Sequence, residues 1–171
     1  MNAVLKNIKE RRSIRAFQEE PIAKEKLQAI VEAGAWAPTA RNTQSFQLVV
    51  LSDTEKIAAL SKAMGNALGN PGYNMYYPTA LIIAANDPEN GEGYADCSCA
   101  LQNIFLAAHS LEVGSVWLNQ LKDVCNDKEV RSLLDSYGLP SNYVVWGAAG
   151  LGYTDNLNPP APERKVVIHY A

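Results

Sequence analysis

Apolar positions near the start of the chain recur at the spacing of amphipathic helices. A first helix is predicted over residues 3–13, with Asn2 as its N-cap. Its apolar face is formed by Val4, Leu5 and Ile8. A second helix follows the pattern i, i+3, i+4, i+7, at Leu27, Ile30, Val31 and Gly34. We expect it to end before Pro38, because the residue preceding a proline disfavours helical backbone, and we expect Gly34 to allow close packing.

Short apolar runs predict strands in the rest of the chain. Four of them are buried strand candidates: Phe46–Leu51, Leu81–Ala85, Ser115–Asn119 and Tyr143–Tyr153. The fourth run contains three glycines, which in a strand indicate a bulge or a close approach of another group. A fifth run, Val166–Ile168, follows a stiff proline-rich arm at residues 158–162 and has no turn that would pair it locally.

Further helices complete the pattern. Capping boxes at Ser52–Glu55 and Asn126–Glu129 predict two of them, the first running to about Met64. The longest predicted helix, Tyr94–Glu112, is apolar on several faces, which is typical of a core or an oligomer interface. The mixed order of elements and the long connections favour one α+β domain over residues 1–171 rather than a regular doubly wound sheet. Residues 65–77 form either a plain connector or a functional loop.

Composition restricts the class of protein. The 171 residues are 47% hydrophobic and 19% charged, which is typical of a globular chain and not of a disordered one. We expect no membrane association, because no apolar run is long enough to span a bilayer and the N-terminus does not resemble a secretory signal. The three cysteines match neither a disulfide framework nor a zinc pattern, so we expect reduced thiols, a cytoplasmic location and no metal.

Basic residues are concentrated at the two ends of the chain. Net charge is −3, which disfavours nucleic-acid binding, yet five of the fifteen Lys and Arg residues precede position 16. The segment Arg11–Arg15 offers three guanidinium groups and a hydroxyl, and Arg164 and Lys165 lie near the other end. This segment is either a basic helix end that complements the helix dipole or an anion site, since guanidinium groups match phosphate geometry.

The common catalytic signatures are missing from the chain. It contains no dinucleotide-binding glycine fingerprint, no Walker-type loop, no zinc-protease helix and no nucleophile elbow. His109 is more readily explained as a hydrogen-bonded structural residue than as a catalytic one. An enzyme without its own acid–base residues would depend on a bound cofactor, and a phosphate-bearing cofactor would explain arginines at both ends.

Five segments in order resemble the FMN-dependent nitroreductases, in particular the short NAD(P)H:flavin oxidoreductase-like members. Residues 11–17 (RRSIRAF) resemble the motif R-[RH]-S-x-[RK]-x-[FY], and residues 37–44 (APTARNTQ) resemble A-P-S-x-x-N-x-Q. Tyr77-Pro78-Thr79 before an apolar strand is similar to that family's strand entry. The segment from Asp96 through Leu106 and on to Trp117 resembles its long alanine-rich helix followed by G-L-G-S-x-W. Residues 147–153 and 162–165 resemble its closing G-x-x-x-x-G-Y and P-R-K elements.

The resemblance implies a set of FMN-binding residues. It places Arg11, Ser13 and either Arg164 or Lys165 at the phosphate, and the backbone of Arg12 at the ribityl chain. Arg15 would lie at the pyrimidine edge of the flavin. The partner subunit would supply Pro38, Thr39 and Ala40 to the ring edge. Asn42 and Gln44 would brace either that loop or the ring. The ring face and N5 would be approached by Trp117, Leu118 and Asn119, although Trp117 alone could equally be a core aromatic.

The resemblance also implies a fold, an activity and an assembly. The implied nitroreductase-like fold has a central, mostly antiparallel sheet flanked by helices. The expected protein is an intertwined homodimer with an exchanged C-terminal strand. NADH or NADPH would reduce FMN at N5, and a small electron-poor acceptor, such as a nitroaromatic or a quinone, would reoxidise it in a ping-pong cycle. No side chain is a dedicated catalytic group in this scheme. The alternative is a non-redox flavin-binding protein with the same pocket. Asn70 or Asn74 could also reach the flavin, and Ser45 and Phe46 depart from the usual family pattern.

Overall fold

The computed structural model describes residues 1–171 and contains one four-stranded antiparallel sheet. The strands are β1 (Gln47–Leu51), β2 (Ala80–Asn86), β3 (Gly114–Leu118) and β4 (Val144–Gly152). They lie side by side in the order β1-β2-β4-β3. The predicted α+β class and the positions of these four strands are therefore confirmed.

Six helices flank the sheet. They are α1 (Ala3–Glu10), α2 (Lys24–Ala35), α3 (Thr54–Ala67), α4 (Gly93–Ser110), α5 (Gln120–Val124) and α6 (Lys128–Ser136). The first helix is shorter than predicted, while α3 continues three residues past Met64 and takes the start of the segment 65–77 into a helix. The short α5 was not predicted. A bilayer crossing would require a longer and more apolar helix than any of these.

The sheet separates two hydrophobic cores. All seven residues of the central strand β2 are buried, and their side chains alternate between the two faces. Leu81 and Ile83 belong to the core that also contains residues of α3, α5 and α6. Ile82 and Ala84 belong to the core shared with α2 and α4. The longest helix therefore packs, together with α2, on one face of the sheet, as its apolar sequence predicts.

Two helix caps differ from the prediction. Asn2 caps α1 as expected, its side-chain oxygen accepting from the Leu5 N–H at 2.9 Å. Asp53 and Asp127, however, cap α3 and α6, and each carboxylate accepts from two backbone N–H groups of the first turn. The capping-box assignments to Ser52 and Asn126 are therefore wrong. In each case the aspartate one residue later combines an extended backbone with a negative charge at the helix N-terminus.

Glycines allow close contacts at two predicted positions. Opposite β2, the register of β4 skips one residue at Trp146, which is a bulge next to Gly147. A Cβ on Gly147 would lie 2.9 Å from the Trp117 ring. A Cβ on Gly34 would lie 2.8 Å from the side chain of Ile104, so α2 packs directly on α4.

The C-terminal arm, residues 159–171, forms no helix or strand. Residues 161–171 are all exposed, and the predicted strand Val166–Ile168 pairs with nothing within its own chain. The predicted strand is therefore absent from the isolated subunit, and its exchange into a partner stays a prediction. The apolar face of α1 is exposed as well, with Val4 66% accessible.

Candidate functional site

Arginines from both ends of the chain meet at the C-terminal end of α1. Arg11 is the C-cap of this helix, and its guanidinium carbon lies 5.9 Å from the centre of the Phe105 ring in α4. Burial lowers the pKa of Arg11, and the charges of Arg12 and Arg164 lower it further. The only ion pairs in the chain are Lys122–Asp123 and Arg131–Asp135. The basic cluster of Arg11, Arg12 and Arg164 thus has no carboxylate to neutralise it, which is the condition for an anion site.

Arg12 also serves the helix end itself. Its Nη1 donates to the carbonyl oxygens of Lys9 at 2.7 Å and of Arg11 at 2.8 Å, close to the C-terminus of α1. Its buried Nε has no partner. The two interpretations left open by the sequence therefore divide between neighbours: Arg12 satisfies helix carbonyls, while Arg11 keeps its charge uncompensated.

The residues after α1 run along the edge strand β3. Ser13 forms a parallel bridge with Ser115, and the Ile14 N–H donates to the Ser115 carbonyl at 2.8 Å. Ile14 is buried, whereas Ser13 and Arg15 on either side of it are exposed. This pairing fixes the Ser13 hydroxyl and the Arg15 side chain on the open side of the segment. The Arg15 guanidinium lies 5.8 Å from the centre of the Tyr76 ring.

The end of β3 presents its three predicted residues in three different ways. Trp117 is half-buried against Gly147 and lies 5.9 Å, centre to centre, from the Phe105 ring that Arg11 covers. Leu118 is buried in the core beneath α3 and α5, so its side chain is closed to a ligand. Asn119 is exposed immediately after the strand. Arg11, Phe105 and Trp117 therefore form a continuous row of contacts from the basic cluster to β3.

The loop of residues 38–45 forms a second, separate group. Within it, Gln44 donates from its backbone to the Thr39 hydroxyl at 3.0 Å and from its side chain to Asn42 Oδ1 at 2.9 Å. The Ala40 N–H donates to Asp96 Oδ1 at 2.9 Å, while Pro38 is exposed. Asp96 precedes Phe105 by nine residues of α4, about 14 Å of helix rise. A single subunit therefore keeps this loop apart from the basic cluster.

The C-terminal part of the site is Arg164 and Lys165 on the exposed arm. The charge of Arg164 acts on Arg11, whereas Lys165 forms no hydrogen bond or ion pair within the chain.

The arm begins next to a cluster of three side chains, Asn7, His109 and Asn158. His109 Nε2 faces Asn158 Oδ1 at 3.0 Å, and its Nδ1 faces Asn7 Oδ1 at 2.5 Å. Both ring nitrogens are therefore engaged, which agrees with the structural interpretation of His109.

Two features of the site gave no usable signal in the sequence. Met75, Tyr76 and Tyr77 all have positive φ, between 51° and 64°, in the loop beside Arg15. Residues of this kind avoid left-handed backbone, so no sequence rule predicts the turn. Asn70 and Asn74 use their side-chain oxygens for local N–H groups of that loop. The second feature is Asp96, whose contact with the loop at Ala40 joins residues far apart in the chain.

Comparison with known proteins identifies the family. The model of the nitroreductase family matches residues 8–74 and 70–153. A provisionally named NADH dehydrogenase/NAD(P)H nitroreductase of Archaeoglobus fulgidus is 34% identical over 160 residues, which cover 90% of this chain and 86% of that protein. The NADPH-flavin oxidoreductase of Vibrio harveyi is 29% identical over 192 residues, covering 99% of this chain and 74% of that protein.

A solved structure extends the similarity to the whole fold. The nitroreductase of Bacteroides fragilis with bound FMN superposes with a TM-score of 0.93 and 33% identity, and the match covers 100% of both chains. The antiparallel sheet, the long central helix and the matched sequence segments lead to one conclusion: this chain belongs to the nitroreductase family.

Proposed function

We propose that this protein is an FMN-dependent NAD(P)H oxidoreductase that acts on small electron-poor acceptors. The observation that carries the proposal is the basic cluster, in which burial and then the charges of Arg12 and Arg164 lower the pKa of Arg11, and no carboxylate pairs with these charges. An anion bound there would relieve this repulsion. Family members supply the identity of the anion, because the Bacteroides fragilis protein binds FMN.

The phosphate end of FMN fits the basic cluster. Charged donors are offered by Arg11 and Arg164 and a neutral donor by the exposed Ser13, with Lys165 next to Arg164 in the sequence. Arginine suits this task because its planar fork pairs with phosphate oxygens and stays charged. Arg12 would contribute its backbone, since its side chain is occupied by helix carbonyls.

The ring end fits the open side of Arg15 and the exit of β3. When bound, FMN supplies two-electron redox chemistry between a nicotinamide and an acceptor. The cation of Arg15 would stabilise the negative charge of a reduced ring at its pyrimidine edge. Asn119 is the exposed polar side chain at the strand end. Trp117 packs against the Phe105 ring, which in turn lies under Arg11. The chain's residues thus bind and orient, and none is required as a dedicated acid or base.

A homodimer would complete the site. The exposed apolar residues of the single chain are concentrated on α1, at the end of α2 and on the arm: Val4, Leu5, Ile8, Trp36, Val166, Val167, Ile168 and Tyr170. Such a distribution favours burial against a second copy, with the arm added to the partner's surface. The loop at residues 38–44 would then lie at the flavin of the partner, with Pro38, Thr39 and Ala40 at the ring edge. The three free thiols would suit a reducing, cytoplasmic location.

Two measurements test the proposed function. The purified protein should show the absorbance bands of bound oxidised flavin, or should take up added FMN. It should then oxidise NADH or NADPH when a quinone or a nitroaromatic compound is present. Full flavin occupancy without any nicotinamide oxidation would instead support the non-redox alternative. A protein that neither contains nor binds FMN would overturn both.

A further inference from the structure

Asp96 is a buried carboxylate at the start of α4 that holds a loop of the proposed site. Only 3% of the residue is accessible, and it lies in the first turn of the helix. Its Oδ1 accepts from the backbone N–H of Ala40 at 2.9 Å, and its Oδ2 accepts from Asn90 Nδ2 at 3.2 Å. A buried charge is costly unless hydrogen bonds and dipoles compensate it, and here two donors and the helix N-terminus do so.

The second donor connects Asp96 to the other end of the same loop. Asn90 Nδ2 also donates to the Ser45 hydroxyl at 3.0 Å, and Asn90 Oδ1 accepts from the Glu92 N–H at 3.0 Å. These contacts fix the orientation of the Asn90 amide, so its N–H₂ group must face Asp96. The Tyr143 hydroxyl donates to the Ser45 carbonyl at 3.1 Å. Asp96 therefore contacts the loop directly at Ala40 and, through Asn90, at Ser45.

The segment between these two anchors is conformationally strained. Arg41, Asn42 and Gln44 have φ values of 54°, 56° and 50°, in the left-handed region that side chains with a Cβ rarely adopt. Strained backbone persists only where surrounding contacts determine it, and such residues concentrate at functional sites. Within the loop, the hydrogen bonds from Gln44 to Thr39 and Asn42 stabilise the turn itself but do not attach it to the body. Attachment depends on Asp96 at Ala40, and on Asn90 and the Tyr143 hydroxyl at Ser45.

From this geometry we propose that Asp96 is a positioning residue, which sets the backbone of residues 38–44 against the flavin ring. The inference rests on the proposed function, because it requires that the loop contacts a flavin. Asp96 acts through Ala40 and Asn90 and does not itself touch the cofactor. A carboxylate is needed because each of its oxygens must accept from a different donor.

The test compares two flavins that differ only in the phosphate. Titration of the flavin-free full chain with FMN and with riboflavin, followed by quenching of flavin fluorescence, gives two dissociation constants for each variant. Asp96→Ala loses the hydrogen bond from Ala40 and leaves Asn90 without its carboxylate acceptor. It should weaken the binding of FMN and of riboflavin by the same factor, about tenfold or more, the value for one charge-assisted hydrogen bond. Asp96→Asn keeps an acceptor for the Ala40 N–H but places its own N–H₂ group against that of Asn90. It should weaken the binding of both flavins, though by a smaller factor than Asp96→Ala.

Control variants separate positioning from general stability. Ser98→Ala removes a hydrogen bond to the Tyr94 carbonyl in the same helix without touching the loop, and should leave both constants unchanged. Asn90→Ala removes the second anchor while keeping the Asp96 side chain, so it provides the test if Asp96→Ala does not fold. It should weaken both flavins and alter the visible circular dichroism of the bound ring.

The outcomes separate the two proposals. If the wild-type chain binds FMN and both Asp96→Ala and Asn90→Ala bind riboflavin as tightly as wild type, the role of Asp96 is overturned while the proposed function stands. Loss of FMN affinity with unchanged riboflavin affinity would also overturn it, because the effect would then lie at the phosphate. A wild-type chain that binds neither flavin would overturn both proposals.

Discussion

Arg11, at the end of the first helix, and Arg164, near the C-terminus, repel each other: burial lowers the pKa of Arg11, and the charges of Arg12 and Arg164 lower it further. The two arginines come from opposite ends of the chain, and neither forms an ion pair with a carboxylate. A lowered pKa means that the charged form is disfavoured in the folded, ligand-free protein. The arginines are nonetheless charged at neutral pH, so the cluster opposes folding until an anion binds.

Replacement of Arg11 should therefore separate ligand affinity from stability. We expect Arg11→Ala to weaken FMN binding by about 1.5–3 kcal/mol, the range for a hydrogen bond to a charged group, and to leave riboflavin binding unchanged. The melting temperature of the ligand-free protein should not fall, because one of three repelling charges is removed. Calorimetric titration and thermal melts measure the two effects. Lys6→Ala, on the exposed part of α1, is the control and should change neither; equal FMN affinity in Arg11→Ala would refute the phosphate site.

Mixed dimers should reveal which subunit supplies the loop. If Arg11 of one subunit and the loop of its partner share a site, a dimer of an Arg11→Ala chain and an Asp96→Ala chain contains one wild-type site and one doubly impaired site. We expect one FMN per dimer to bind with wild-type affinity in fluorescence titrations of tagged, co-purified chains. Two sites of intermediate affinity and none of wild-type affinity would place both residues in the same subunit's site.

The C-terminal arm should be required for dimerisation. Val166 and Ile168 are 80% and 67% accessible in the single chain, and we expect them to be buried on a partner. Replacing both with serine should lower dimer stability by about 1.5–3 kcal/mol for each lost apolar side chain, shifting the molecule towards monomer in sedimentation experiments at low concentration. Glu163→Gln, on the same arm, should leave the dimer intact. An unchanged dimer in the double serine variant would contradict the exchange of the arm.

The contact between α2 and α4 depends on the lack of a side chain at Gly34. Gly34→Ala would place a Cβ 2.8 Å from the Ile104 side chain, so we expect a loss of about 1–3 kcal/mol in the free energy of unfolding, as for other overpacked cores. Gly91→Ala meets no atom within 4 Å and should change stability by about 0.5 kcal/mol or less. Urea denaturation of the two variants makes the comparison, and equal stabilities would argue against direct packing of the helices.

The stability of the protein should decrease at alkaline pH because of the buried thiol of Cys97. Burial, with a smaller contribution from the Asp96 charge, raises the pKa of Cys97 from 9.0 to about 12. Because the folded pKa is the higher one, the contribution to stability is complete below about pH 9 and is lost as pH rises towards 12. The free energy of unfolding should fall over that range, and it should fall less steeply in Cys97→Ala.

The same burial predicts which thiol reacts. In the native protein at pH 8, the exposed Cys99 should be the one thiol that reacts with a disulfide reagent.

Local features of the fold followed from the sequence because short-range physics determines them. Helical and strand spacing placed the four strands and most helices, and Gly34 and Gly147 indicated the close contacts that the structure contains. The caps of α3 and α6 were misplaced by one residue, because serine or asparagine and aspartate stood side by side and both can accept the N–H groups of a first turn. In the proposed site, the basic cluster and its partners near the C-terminus could be named from charge distribution and motif order.

Contacts between distant parts of the chain needed the tertiary structure. Spacing alone does not reveal that Asp96 accepts from Ala40, that Arg12 caps its own helix while Arg11 is left uncompensated, or that Met75–Tyr77 adopt left-handed backbone. Each depends on packing that brings remote residues together and overrides local preference. The sequence by itself determined which residue types could bind a phosphate; the tertiary structure decided which of those charges stay unpaired, because hydrogen bonds and ion pairs form between neighbours in space.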